Sequence, residues 1–168
     1  MEQVVFEIAE VRHGWFVCLL AGVEVWCSGI WRHDGAGQLL RLVRDVLGGE
    51  IREGYAVLPT EPGAYVLWLR GGLRPELALW YTGQELPDWY CGGDDAISGA
   101  PPVRLRRKER LLLVQEPDLY GLARSVVDAF DGWTDKRMRD TYDKNWMPFP
   151  EAELRELRLF LGDIPEMC

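Results

Sequence analysis

Residues 3–28 alternate apolar and polar positions with the two-residue period of β-strands. Residues 3–9, QVVFEIA, are β-branched and aromatic, and the turn residues RHG follow at 12–14. WFVCLL (15–20) and VEVWCS (23–28) flank Ala21-Gly22, a two-residue hairpin loop. A tight turn there sets Leu20 against Val23, so Phe16, Cys18, Leu20, Val23, Val25 and Cys27 share one apolar face. Cys18 then faces Val25 and Cys27 faces Phe16. The two sulfurs are diagonal neighbours, too far apart for a disulfide that needs Cβ atoms about 3.8 Å apart. The opposite face carries Trp15, Val17, Leu19, Glu24 and Trp26 and must be at least partly covered.

The period then lengthens. In HDGAGQLLRLVRDVLGGE, Leu39, Leu40, Val43, Val46 and Leu47 recur at helical spacing, and Gln38, Arg41, Arg44 and Asp45 fall toward the outside. Asp34 suits the N-cap, and Gly48-Gly49 stop the helix. Strands resume with YAVLP, with AYVLWLR (64–70) after the turn TEPG, and with ELALWYT (76–82) after GGLRP. Both alternating sets of 64–70 are apolar, which predicts an interior strand covered on both sides. VRLRRKERLLLVQ (103–115) begins as a half-exposed strand and becomes wholly apolar. Leu119, Leu122, Ala123, Val126, Val127 and Phe130 form the stripe of a second helix, with Pro117 in its first turn and Gly132 at its end. Pro150 opens a third, which sets Leu154, Leu157 and Leu161 on one side. The order βββ-α-ββββ-α-α predicts an α+β fold: a bent, mainly antiparallel sheet of about seven strands with three helices packed against it. No repeat or long linker divides the chain, so residues 1–168 are read as a single domain.

Between Gly83 and Pro102 the periodicity disappears. Loops longer than about 12–15 residues inside compact domains are uncommon and are usually functional or disordered. This one holds Glu85, Asp88, Asp94 and Asp95 with no Lys or Arg, and Trp89-Tyr90 sit among them. Aromatic anchors ringed by carboxylates are what a binder of a basic surface needs, since rings supply desolvated contact and charges supply steering. The same rings would also serve simply to pin the loop to the domain. Glu85, Asp88, Trp89, Tyr90, Asp94 and Asp95 are the candidate partner-binding residues.

Composition narrows the classes further. A formal charge of -8 repels phosphate backbones, so nucleic acid is not the expected partner. The basic run RLRRKER (104–110) is explained by compensation of the acidic loop beside it. No stretch approaches the ~20 apolar residues that span a bilayer, and the N-terminus is not a secretory signal, so no membrane role is expected. Cys18, Cys27, Cys91 and Cys168 lack CxxC spacing and fit a reducing compartment. Cytoplasmic residence is the expectation.

Catalytic and metal signatures are sparse. GxSxG, P-loop, HExxH and GxGxxG patterns do not occur. His13 falls in a predicted turn. His33 and Cys27 offer too few ligands for zinc, and Cys27 points toward the core, away from any nucleophilic role. Asp94-Asp95 with Glu85 or Asp88 would be the only cation candidate, but DDAISGAPPVRL lacks the alternating acids and closing Glu of a calcium loop. No cofactor, metal or catalytic residue is predicted.

Three phrases, IWRHDGAGQLLRLVRDVL, EPGAYVLWLR and NWMPFPEAELRELRLFL, resemble the small cytosolic immunity proteins of bacterial polymorphic-toxin systems. The resemblance covers the layout from about residue 31 to 161 and assigns no residue a role. It implies a non-enzymatic protein that binds a cognate toxin with a basic surface and occludes its active site. The alternative is a small-molecule-binding or enzymatic domain, its pocket between sheet and helices lined by some of Trp15, Trp26, Trp68 and Trp80.

Overall fold

A computed structural model describes residues 4–12, 15–28, 34–83, 97–101, 110–132 and 149–162. Strands β1 (Phe6–Arg12), β2 (Trp15–Leu20) and β3 (Val23–Ser28) form a three-stranded antiparallel sheet in the order β1-β2-β3. Ala21 and Gly22 have φ of 48° and 79°, the pair of positive values that a two-residue hairpin turn matched to strand twist requires. The expected register follows: Cys18 pairs with Val25 and Cys27 with Phe16. Both cysteines are buried and unbridged.

Strand β1 contains a bulge that the sequence pattern does not announce. Phe6, Glu7 and Ile8 pair with Leu20, Leu19 and Cys18, but the register then slips so that Glu10 opposes Val17 and Val11 opposes Phe16. Unbroken alternation would turn Glu10 toward the core with Phe6 and Ile8. The extra residue, Ala9, reverses this, sending Glu10 outward and Val11 inward against the core.

Helix α1 (Gly35–Leu47) starts where Asp34 accepts a bond from the Gly37 N–H at 2.8 Å, and Gly48 caps its end. A five-stranded sheet follows, built from β4 (Glu53–Pro59), β5 (Ala64–Arg70), β6 (Glu76–Tyr81), β7 (Ile97–Ser98) and β8 (Leu111–Gln115). Its order is β7-β4-β5-β6-β8, antiparallel throughout. The α+β class is as expected. The strands divide between two sheets, and the short β7 falls inside the stretch expected to be irregular. Gly63, at φ 90°, closes the β4–β5 turn where an added Cβ would stand 1.6 Å from the Gly83 carbonyl oxygen. Only glycine fits there.

Helix α2 (Leu119–Asp131) begins later than expected: Asp118 is the N-cap and accepts from the Tyr120 N–H, so Pro117 precedes the cap instead of occupying the first turn. Helix α3 (Glu151–Phe160) buries Leu154 and Leu157, with Leu161 just beyond it. One continuous core joins the inner faces of both sheets to all three helices, through Phe6, Cys27, Leu40, Leu67, Val126 and Leu157 among others. Phe6 stacks on Phe130, which meets Phe149 edge-on, and the Phe6 N–H donates to the Ser125 hydroxyl at 3.0 Å. These contacts tie β1 to α2.

The polar positions of α1 do not simply face water. Arg41 pairs with Glu153 at 2.5 Å and Arg44 with Glu156, in the same order and with the same spacing of three, so α1 and α3 run in the same sense. Gln38 departs furthest from its expected place outside: it is 1% exposed and accepts from the Val57 N–H at 2.6 Å. The reason lies in β4. Strand β7 pairs with it only at Gly54 and Tyr55, and beyond them the Gln38 side chain takes up the edge. Replacing Gln38 by Leu keeps most of the volume but removes the acceptor from a buried N–H. Urea unfolding should show a loss of about 2 kcal/mol with an unchanged slope; a loss below about 0.5 kcal/mol would mean that this bond does not hold the edge.

Candidate functional site

Two aromatic surfaces stand out, one on each sheet. On the outer face of the three-stranded sheet, register places Glu7 and Glu24 on either side of Leu19, and Glu10 and Trp26 on either side of Val17. Trp15, diagonal to Trp26, meets it edge to face with ring centroids 6.1 Å apart. The Trp26 indole N–H donates to the Glu24 carboxylate two residues back on the same face. Val17 is buried beneath, Trp15, Leu19 and Trp26 are half-buried, and Glu7 and Glu24 are exposed. Three carboxylates therefore share this face with a fixed pair of indoles, and the Ala9 bulge supplies one of the three.

The second surface is the face of the five-stranded sheet turned away from the helices. Tyr55, Val57, Ala64, Val66, Trp68, Ala78 and Trp80 form a buried cluster separate from the main core. Pairing sets three rows across it: Glu53–Arg70–Glu76, then Tyr55–Trp68–Ala78–Val114, then Val57–Val66–Trp80–Leu111. Ala78 is the small residue among large ones, and a cavity of about 440 Å³ opens around it. The charged row rims this cavity. Arg70 pairs with Glu76 at 2.5 Å and lies over the Trp68 ring, its Cζ 5.4 Å from the centroid. The Trp68 indole N–H donates to Glu53 at 3.1 Å. Trp68 and Trp80 are tilted neighbours with centroids 6.4 Å apart. A shallower hollow of about 520 Å³ adjoins across Arg70, Glu76 and Val114 and reaches Arg74 and Gln115.

The sequence-predicted residues fare differently. Glu85, Asp88, Trp89, Tyr90, Asp94 and Asp95 lie outside the described residues, as do His13, His33, Cys91 and Cys168. What the fold does fix is the position of the segment's ends. The chain leaves β6 at Gly83 and rejoins the sheet at Ile97, beyond β5 and β4 at the opposite edge. Trp15, Trp26, Trp68 and Trp80, some of which were expected to line one pocket between sheet and helices, fall into two pairs on two sheets, and the Trp68–Trp80 cavity opens on the side away from the described helices. The acidic face of β1–β3 was not foreseen as a site. Its signal was the alternation of Glu24 and Trp26 opposite Leu19 and Val17.

Comparison with known proteins gives no match to a family model, to a curated protein or to a solved structure. No helix among the described residues is long and apolar enough to cross a membrane.

The buried cysteines are poor nucleophiles. Burial pushes the Cys18 thiol from its ordinary 9.0 up to about 12. Cys27 is raised as well, by burial first and then by neighbouring Cys18 and Asp34. Iodoacetamide at about pH 8 should leave both unmodified in the folded protein and alkylate both in urea, read by peptide mass mapping. The unfolded Cys18 thiol ionises near 9.0 while the folded one keeps its proton to about 12. Stability should therefore fall as pH rises through that window, and Tyr55 and Tyr65, also raised by burial, add to the loss. Cys18→Val should flatten the fall; an unchanged alkaline profile would assign it to other groups.

Proposed function

We propose that this chain is a non-catalytic protein of the immunity type, which binds a cognate protein toxin with a basic surface and occludes its active site. The observation that carries the reading is the outer face of β1–β3, where Glu7, Glu10 and Glu24 share one face with the Trp15–Trp26 pair. Interfaces concentrate their energy in desolvated aromatic anchors, while flanking charges govern encounter and register. An edge-to-face pair held by a carboxylate loses little side-chain freedom on binding, which favours affinity. The net charge of -8 extends the same bias to the whole molecule. The segment carrying Glu85, Asp88, Trp89, Tyr90, Asp94 and Asp95 has the same chemistry and is the second element assigned to the contact.

The test uses the full chain and the toxin domain encoded by the neighbouring reading frame. Trp26→Ala should weaken binding by at least tenfold, as loss of an aromatic hot spot does. The triple change Glu7→Gln, Glu10→Gln and Glu24→Gln should chiefly slow association and lower its salt dependence. Glutamine at 24 keeps an acceptor for the Trp26 N–H, so the loss reports on charge. Trp89→Ala with Asp94→Ala and Asp95→Ala probes the second element in the same assay. Absence of binding by the wild-type chain, or binding indifferent to all three variants, would overturn the proposal.

A further inference from the structure

Strand β8 closes one end of the five-stranded sheet. Among the described residues it pairs with β6 on one side and with no strand on the other. A free edge bares a row of N–H and C=O groups that templates another strand, and native proteins blunt such edges with charge or proline. Leu111–Gln115 carries neither. Its register with β6 skips Leu112, which is 44% exposed, and Val114, two residues on, is 51% exposed. Charge appears only at the two ends. Arg110 precedes the strand and Glu116 follows it; both are exposed, and neither is in an ion pair among the described residues. Glu116 shares the lining of a shallow hollow with Arg74.

We propose that β8 is a dimer interface, pairing antiparallel with β8 of a second copy of this chain so that the two five-stranded sheets run on as one. A two-fold axis between antiparallel neighbours stands perpendicular to the sheet and passes level with a residue, so that facing side chains share a face. At Leu113 the axis sets Leu112 of each copy opposite Val114 of the other and brings each Arg110 to the end that carries Glu116. Apolar pairs and opposite charges across strands are both favourable. Moved to Leu112, the axis would set Arg110 against Val114; moved to Val114, it would set Glu116 against Leu112. One register therefore matches every exposed side chain, and it matches the strand to itself, which selects a second copy over an unrelated strand. The edge lies on a different sheet from the Trp15–Trp26 face, so the assignment does not depend on toxin binding.

Sedimentation equilibrium of the full chain tests this. The mass should rise with concentration from 19.3 kDa toward twice that value, within a range reaching on the order of 100 μM, ample for the micromolar affinity of a small interface. Leu112→Lys, at an exposed position, should weaken association at least about tenfold by placing charge on the edge. Arg110→Glu alone and Glu116→Arg alone should each weaken it about tenfold, because the axis repeats the like-charge contact. The two reversals together should restore the wild-type constant. Amide hydrogen exchange within Leu111–Gln115 should slow as the dimer fills. A monomer at every concentration, a dimer indifferent to Leu112→Lys, or a double reversal that stays as weak as the single ones would each overturn the assignment. So would a monomeric chain that loses toxin binding on Leu112→Lys, which would give the edge to the toxin instead.

Discussion

Ala64, Val66 and Trp68 of β5 are buried on one face of the five-stranded sheet, and Leu67 and Leu69 on the other. A strand with no polar face must lie in the interior of a sheet, and both of its sides must be covered. That requirement organises the molecule. On one side the leucines meet α1 and the core shared with the three-stranded sheet; on the other they are replaced by a smaller cluster built around two tryptophans. Polarity is postponed to the end of the strand, where Arg70 lies between Glu53 and Glu76 on its neighbours. A cross-strand row of alternating sign is a favourable way to end a ladder, because each charge faces its opposite directly.

The helices depend on the same arrangement. Helix α1 packs on β4 and β5 and brings to the sheet a buried polar side chain, Gln38, which accepts from the Val57 N–H. Its other polar residues receive α3 through ion pairs at matching intervals. The Arg41–Glu153 pair is the more sheltered of the two, and the partly exposed Arg44–Glu156 pair contributes alignment more than stability. Apolar burial holds the helices; the charges set how they are aligned.

Much of this was legible from spacing alone. The β2–β3 register followed from a two-residue turn, because a turn of that length leaves one pairing available. The stripes of α2 and α3 were legible because every third or fourth residue is apolar and both ends carry stop signals. Features that depend on a distant partner were not. Gln38 looks like a surface residue until its bond to the Val57 N–H of β4 is known. Nothing local in Phe-Glu-Ile-Ala-Glu-Val marks Ala9 as a bulge, since its effect is defined only against β2. The division into two sheets was hidden for the same reason: period two identifies a strand and says nothing of its neighbour. The cavity had a trace, Ala78 between Glu76 and Trp80, but its meaning required knowing that Trp68 and Val114 flank Ala78 on the adjoining strands.

The two aromatic surfaces solve different physical problems with the same side chain. Trp26 and Trp68 each give their N–H to a carboxylate of their own sheet, which fixes the ring. Around Trp26 the Glu7 and Glu24 carboxylates reach solvent, where their field extends outward. Around Trp68 the charges are paired at close range, so their field cancels beyond the rim. Both surfaces stand on paired strands, where neighbouring residues fix the geometry more closely than a loop would. Charge placed on a rigid sheet keeps its direction, and so does an empty space.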